Sequence, residues 1–189
     1  MAMPAIQIDP LLTFIVRGSV FLLLMSAALT KLRQLSFFRG SLNEYELLPS
    51  AWVPAAAVVI PFVELAIAVL LVFSSTLNAG LVTAAALLTI YACAMAVNLL
   101  RGRADIDCGC TGPAQRQLIS GMLVGRNLVL AGFALSATLP AIERALGWAD
   151  YAVAMLAIAA ATSLYIAANQ LFANRPRLDA LDDYMGAAS

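Results

Sequence analysis

Five apolar runs of about 20 residues each constrain this chain more than any other feature. They cover about Leu11–Thr30, Ala51–Ser74, Ala79–Leu100, Leu118–Leu139 and Tyr151–Phe172. At ~1.5 Å per residue, a helix of that length matches a hydrocarbon core of ~30 Å. Lipid offers no hydrogen bonds to a backbone, so each run must satisfy its own N–H and C=O groups, and a helix does this within one segment. The expected fold is therefore all-α: a polytopic membrane helical bundle with a four-helix core and a fifth transmembrane helix. It forms a single membrane domain over 1–173, followed by a loose polar tail over 174–189. Residues 1–10 carry no Lys or Arg, and Lys31 and Arg33 follow the first run. That pattern reads as an uncleaved first helix and not as a secretory signal.

Composition agrees and removes several function classes. Hydrophobic residues make up 62% of the chain and charged residues 12%, against roughly 25% charged in soluble domains. Eleven cations balance eleven anions, which leaves no electrostatic case for a nucleic-acid partner. There is no histidine, so imidazole acid–base chemistry, His-ligated haem and His-containing zinc sites are excluded. Three cysteines are too few for a disulfide scaffold.

The segment readiest for chemistry is the polar loop between the third and fourth runs, Asp105-Ile106-Asp107-Cys108-Gly109-Cys110-Thr111-Gly112-Pro113. Three readings stand side by side: a redox pair, half of a metal site, or a turn that contains sulfur. Two thiols one residue apart close only a small, strained ring, and strain makes a disulfide easier to reduce. Gly109 supplies the backbone freedom. Arg101, Arg103 and Arg116 favour the reactive thiolate, whereas Asp105 and Asp107 oppose it electrostatically and are the available proton acceptors. Cys108, Cys110, Asp105 and Asp107 number enough to ligate an ion, but the spacing is not that of a zinc site, and no metal is assigned. Cys93 lies ~10 Å below the loop, either as a small buried residue or as a resolving thiol.

Three charges fall inside the apolar runs: Arg17, Glu64 and Arg126. A charge at mid-bilayer costs roughly 2.5–3.5 kcal/mol and so pairs or faces a cavity. Arg17 and Glu64 lie ~9 and ~15 Å from one face and Arg126 ~12 Å from the other, which sets Glu64 between the two arginines. Either the three neutralise one another, or an arginine is left to bind an anionic or carbonyl-bearing group such as the headgroup of a membrane quinone. Within the fourth run, Gly121, Gly125, Gly132 and Ser136 form a small-residue face suited to close approach of another helix. Residues 31–50 mix cations with Phe37, Phe38 and Tyr45, as an interfacial segment contacting membrane lipid does, or as a lid over a site on that side.

The five runs place the loops 31–50 and 101–117 and the C-terminal tail on one side. That side holds Lys31, Arg33, Arg39, Arg101, Arg103, Arg116, Arg175 and Arg177, and the other holds Arg144. Such a bias marks the cytoplasmic face.

Lys31-Leu32, the stretch from Asn43 to Pro49, Pro61-Phe62-Val63-Glu64-Leu65, Asp107-Cys108-Gly109-Cys110-Thr111-Gly112 and Gly125-Arg126-Asn127 occur in that order. Together they resemble the DoxX-related MauE family of membrane proteins over about residues 11–140. The resemblance implies a multi-pass protein of the bacterial cytoplasmic membrane. It implies a role in methylamine degradation, as an accessory in maturing the small (β) subunit of periplasmic methylamine dehydrogenase, which is rich in disulfides and carries tryptophan tryptophylquinone. It further implies a thioredoxin-like partner, MauD, and hence thiol–disulfide exchange through Cys108 and Cys110. The charge bias places the loop on the opposite side of the membrane from that subunit. A non-enzymatic scaffold for the maturing subunit and a transporter with Glu64 and the arginines at its midplane are the competing readings.

Overall fold

The structure, a computed structural model, describes residues 7–110, 112 and 117–187, with residues 172, 173 and 175–187 as backbone only. Within these residues the chain is helical: α1 Pro10–Arg33, α2 Leu35–Glu44, α3 Val53–Val72, a 3₁₀ turn Ser74–Thr76, α4 Leu77–Leu100, α5 Gly121–Ser136 and α6 Trp148–Ala187. Four of these are long and apolar enough to cross a membrane: Pro10–Arg33, Val53–Val72, Ser74–Leu100 and Trp148–Leu171. The chain is thus a polytopic helical membrane protein.

Local chemistry sets the helix ends. Asp9 caps α1 by accepting the Leu11 N–H at 2.8 Å, and Pro10 at the first helical position needs no partner for a missing N–H. The 3₁₀ turn folds α4 back on α3, where Gly80 lets the two backbones meet: a Cβ there would lie 3.0–3.1 Å from Leu71 and the Leu70 carbonyl carbon. Buried Val20, Leu24, Ile67, Leu71, Leu81 and Leu88 join Ala131 and Ala134 in the main core, so α1, α3, α4 and α5 share one interior. α6 packs on α1.

Four elements differ from the sequence expectations, each for a physical reason. The segment 31–50 is not an open loop. α1 continues to Arg33, and α2 follows as a separate helix that buries Phe38 and Ser41. The fourth apolar run yields only the 16-residue α5, ~24 Å long. Its first residues are drawn into backbone pairing with the cysteine loop: Cys108 N–H donates to Gln117 O at 2.8 Å and Ile119 N–H to Ile106 O at 2.9 Å. The glycine face of α5 meets no helix among the described residues; a Cβ at Gly121, Gly125 or Gly132 would point into open space, because α5 packs through Leu123, Asn127, Ala131 and Ala134. Finally, the backbone of α6 stays helical to Ala187 through the stretch expected to be a loose tail.

At the far end of the bundle from α2, Ile8 pairs with Ala141. Arg144 bridges Asp9 and Asp150 there, each at 3.1 Å.

Candidate functional site

The cysteine loop is a closed, tethered structure. Asp107 is buried, and its two carboxylate oxygens accept the Gly109 N–H at 2.7 Å and the Gln117 N–H at 2.9 Å. It therefore ties the two strands of the loop together. Gly109 has φ +72°, a left-handed conformation, and a Cβ there would sit 3.1 Å from the Phe38 ring. Only glycine meets both demands without strain. α2 thus roofs the Cys-Gly-Cys turn, with Phe38 and Ser41 over Gly109 and with Gln34 and Thr30 against Gly112. Thr111, Pro113 and Arg116 lie outside the described residues.

Cys108 and Cys110 are both free thiols, and they occupy different surroundings. Cys108 is 9% exposed and sits among Tyr45, Met95, Ile106, Ile119 and Leu123. Its Sγ lies 3.7 Å from Gln117 Oε1. Cys110 is half-buried and borders a cavity of about 480 Å³. The hydrogen bond between the thiols holds the Cys110 thiol down to about 6; burial opposes this, and the Lys31 and Arg126 charges reinforce it. The same hydrogen bond, with burial, pushes Cys108 well above the usual thiol range. Hydrogen bonding and nearby cations generate nucleophilic thiolates in this way. Burial raises the Tyr45 hydroxyl first, and the neighbouring sulfurs raise it further.

Among the described residues, the cations that act on the pair are not Arg101 or Arg103. Arg101 is exposed, and Arg103 turns away to the Glu44 carbonyl at 2.9 Å and to Glu46 at 2.8 Å. Lys31 and Arg126 act on Cys110 instead. Asp105 is exposed, unlike the buried Asp107.

The intramembrane charges are also sorted differently. Glu64 pairs with Lys31, not with an arginine. Both side chains are buried, at 0% and 2% exposure, and Tyr91 Oη donates to Glu64 Oε1 at 2.8 Å. The Lys31 ammonium also lies 5.1 Å from the Phe38 ring centre and 4.8 Å from that of Tyr91. Extension of α1 past the expected loop boundary is what carries Lys31 inward. Arg17 stands apart: its guanidinium donates to the Leu71 and Val72 carbonyls, capping the unsatisfied C-terminal end of α3. Arg126 donates to Asn169 Oδ1 at 2.6 Å and lies 5.2 Å over the Tyr165 ring. Asn169 Oδ1 also accepts from Gln117 Nε2 at 3.3 Å, which completes a polar chain from Cys108 through Gln117 and Asn169 to Arg126.

Glu64, Arg126 and Cys110 therefore meet at one cavity, whereas Arg17 and the exposed Cys93 do not belong to it. Sequence reading missed Lys31, Tyr91, Gln117, Tyr165 and Asn169. Asn169 gave the one available signal, an amide near the end of an apolar run. Among the described residues no group of three or more Cys, Asp and Glu is placed to hold a metal ion.

A multi-pass helical membrane protein with a tethered dithiol loop above a polar-ended intramembrane cavity is the class that fold and site define. The chain belongs to the family of methylamine utilisation protein MauE, whose model matches residues 9–140. It is 40% identical over 166 residues to the methylamine utilization protein MauE of Paracoccus denitrificans, covering 87% of this chain and 89% of that protein. The MauE proteins of Methylorubrum extorquens (38% over 168 residues, 85% of this chain and 90% of that one) and Methylophilus methylotrophus (35% over 169 residues, 89% of each) are similar. No solved structure matches the chain. Membership of the family places the chain in methylamine utilisation.

Proposed function

We propose that this chain is a thiol–disulfide exchange component of the bacterial cytoplasmic membrane that helps to mature the small (β) subunit of methylamine dehydrogenase. In this reading the loop faces the subunit's side of the membrane, its arginines serving function and not orientation, and a thioredoxin-like partner, MauD, carries electrons between the subunit and the Cys108–Cys110 pair. The observation that carries it is the asymmetry of the two thiols. Cys110 borders the polar end of the cavity near Arg126, which favours it as thiolate and leaving group, while Cys108 is buried away from that cavity. When the pair is a disulfide, the partner's thiolate attacks Cys108 Sγ, a mixed disulfide forms and Cys110 leaves as thiolate. The partner's second thiol then attacks the mixed disulfide and releases Cys108. The partner leaves as a disulfide and the pair as a dithiol.

Cys108 is too enclosed for a protein thiol to reach while Tyr45 covers it and α2 roofs the adjoining Gly109. Exchange on this reading therefore includes a lifting of the 35–45 segment, which is the lid role considered for residues 31–50. Replacing Cys108 and Cys110 together by Ser tests the reading. Maturation of active dehydrogenase in cells should fall to the level of cells lacking the chain, with the Ser variant still present in the membrane. Normal maturation would sink exchange in favour of a non-enzymatic scaffold.

A further inference from the structure

The cavity beneath Cys110 has the shape and chemistry of a site for a small membrane-soluble electron acceptor. Its volume of about 480 Å³ lies in the range of about 300–1,000 Å³ that small-molecule sites occupy. It lies between α1, α5 and α6 at hydrocarbon depth, with apolar α1 side chains such as Leu23 and Ala27 along one wall. Its lining includes Leu22 and Ile166, which are 42% and 49% exposed on the apolar outside of the bundle. α5 and α6 meet through the Arg126 side chain and not through close backbone packing among the described residues, so the cavity has a lateral way in from the bilayer.

The loop end is polar. Cys110, Glu64, Tyr91, Arg126 and Asn169 converge there. Two of their atoms are buried without a hydrogen-bond partner among the described residues: Oε2 of Glu64, whose side chain is 0% exposed, and Nε of Arg126. Unsatisfied polar atoms of this kind are costly in a dry interior. Facing a cavity, they mark where a ligand's polar atoms belong. The ligand that fits is a largely apolar molecule with hydrogen-bonding groups at one end, which a quinone headgroup supplies.

We infer that the cavity binds a membrane quinone, with its ring against Cys110 and its carbonyl oxygens toward Arg126 and the Glu64–Tyr91 pair, as the acceptor that reoxidises the dithiol. This rests on the exchange reading above and names the second electron partner. The step balances: the Cys108 and Cys110 thiols and one quinone give one disulfide and one quinol. Two S–H bonds are lost, one S–S bond forms and two electrons pass to the quinone. Its two oxygens each gain a proton, one from Cys108 and one from Cys110, or from water when Cys110 is already ionised. A strained Cys-Gly-Cys disulfide has a high potential and requires a strong oxidant to reform it, which suits a quinone. The geometry places Arg126 and Glu64 at this site and assigns Arg17 to the cap of α3.

The test uses the full chain in lipid nanodiscs, reduced and freed of reductant without air, and mixed with a short-tailed benzoquinone. The expected result is one quinol formed per Cys108–Cys110 disulfide, with alkylation and mass spectrometry counting the thiols. A redox-inert aromatic analogue with the same tail should compete. Ala27→Trp, which fills the cavity, and Arg126→Gln, which removes the donor, should each slow oxidation at least ~10-fold. A parallel arm offers the same reduced chain the disulfide form of a thioredoxin. If the pair reacts with thioredoxin but not with the quinone, or if both variants react with quinone at the unaltered rate, the quinone site is wrong and exchange stands. If the pair reacts with neither, both readings fall.

Discussion

Two sets of ion pairs among the described residues, at opposite ends of the bundle, obey opposite physics. Arg144 with Asp9 and Asp150 sits at the surface, its side chains 41%, 40% and 22% exposed. Lys31 with Glu64 is sealed inside the bundle beneath α2. Water and salt screen the first set, so it contributes little. The second set has lost its hydration, a cost that attraction within the pair only partly offsets. A chain that needed only a stable bundle would do as well with Met and Leu at those positions. The buried pair also supplies Cys110 with one of its two nearby cations and the cavity with an unsatisfied carboxylate oxygen. The costly buried pair thus lies beside the cysteine loop and its cavity, and the exposed set fastens the far end of the bundle.

Breaking each set should expose the contrast. Lys31→Met strands the Glu64 charge in a dry interior and should destabilise the bundle by about 3–5 kcal/mol, read as a fall in the midpoint of thermal unfolding in detergent. The double variant Lys31→Met/Glu64→Leu should recover most of that loss. Failure to recover would show that packing, and not an orphaned charge, is what matters there.

Next in size is the effect on the thiols. Because the Cys110 thiol is lowered from 9.0 to about 6, its thiolate is already dominant at neutral pH. Iodoacetamide labelling of Cys110 in the reduced chain should rise through about pH 6 and then level off. Cys108→Ala removes the leading cause, the hydrogen bond from Cys108, and should move that midpoint upward. A labelling rate that still climbs steeply above pH 8 in the unaltered chain would contradict the asymmetry.

A smaller effect is expected at the roof. Gly109→Ala places a Cβ in a left-handed conformation and against Phe38, which should cost about 1–2 kcal/mol. It should also loosen the loop, seen as faster amide exchange at Cys108 and Ile119. The smallest effect belongs to the exposed end. Arg144→Gln should leave the unfolding midpoint within the scatter of repeat measurements at neutral pH. Asp9, held below its usual value by the Leu11 N–H and then by Arg144, contributes stability above pH 3.8 that is lost as pH falls through its lowered value. Arg144→Gln should therefore flatten the acid limb of the stability profile slightly.

The apolar runs made the helical membrane class legible from the sequence, and the Cys-Gly-Cys loop stood out as the segment now found beside the cavity. Both follow from strong one-dimensional signals: a 20-residue hydrophobic run admits few solutions, and two sulfurs beside glycine are conspicuous. What stayed hidden depends on where helices end and which way side chains turn. Lys31 follows an apolar run, as flanking charges do, and only the extra turn of α1 takes it inside to Glu64. Leu118 and Ile119 are as apolar as any helix residue, yet the loop's backbone pairs with this segment and shortens α5. Asn169 and Gln117 lie 52 residues apart, and no periodicity brings them together. The glycine face of α5 carried the right pattern for helix contact and met none, because a small-residue stripe permits close approach without compelling it.

Trapping the exchange intermediate tests the central claim most directly. The full chain with Cys110→Ser, in membranes, is mixed with the thioredoxin-like partner in a form that keeps only its attacking cysteine, together with a mild oxidant. The account predicts a covalent one-to-one adduct on a non-reducing gel, released by reductant and mapped by mass spectrometry to Cys108. It predicts that the unaltered chain cycles between dithiol and disulfide without accumulating that adduct. No adduct on the Cys110→Ser chain, with its Cys108 remaining an alkylatable thiol, and no loss of alkylatable Cys108 and Cys110 in the unaltered chain would contradict it.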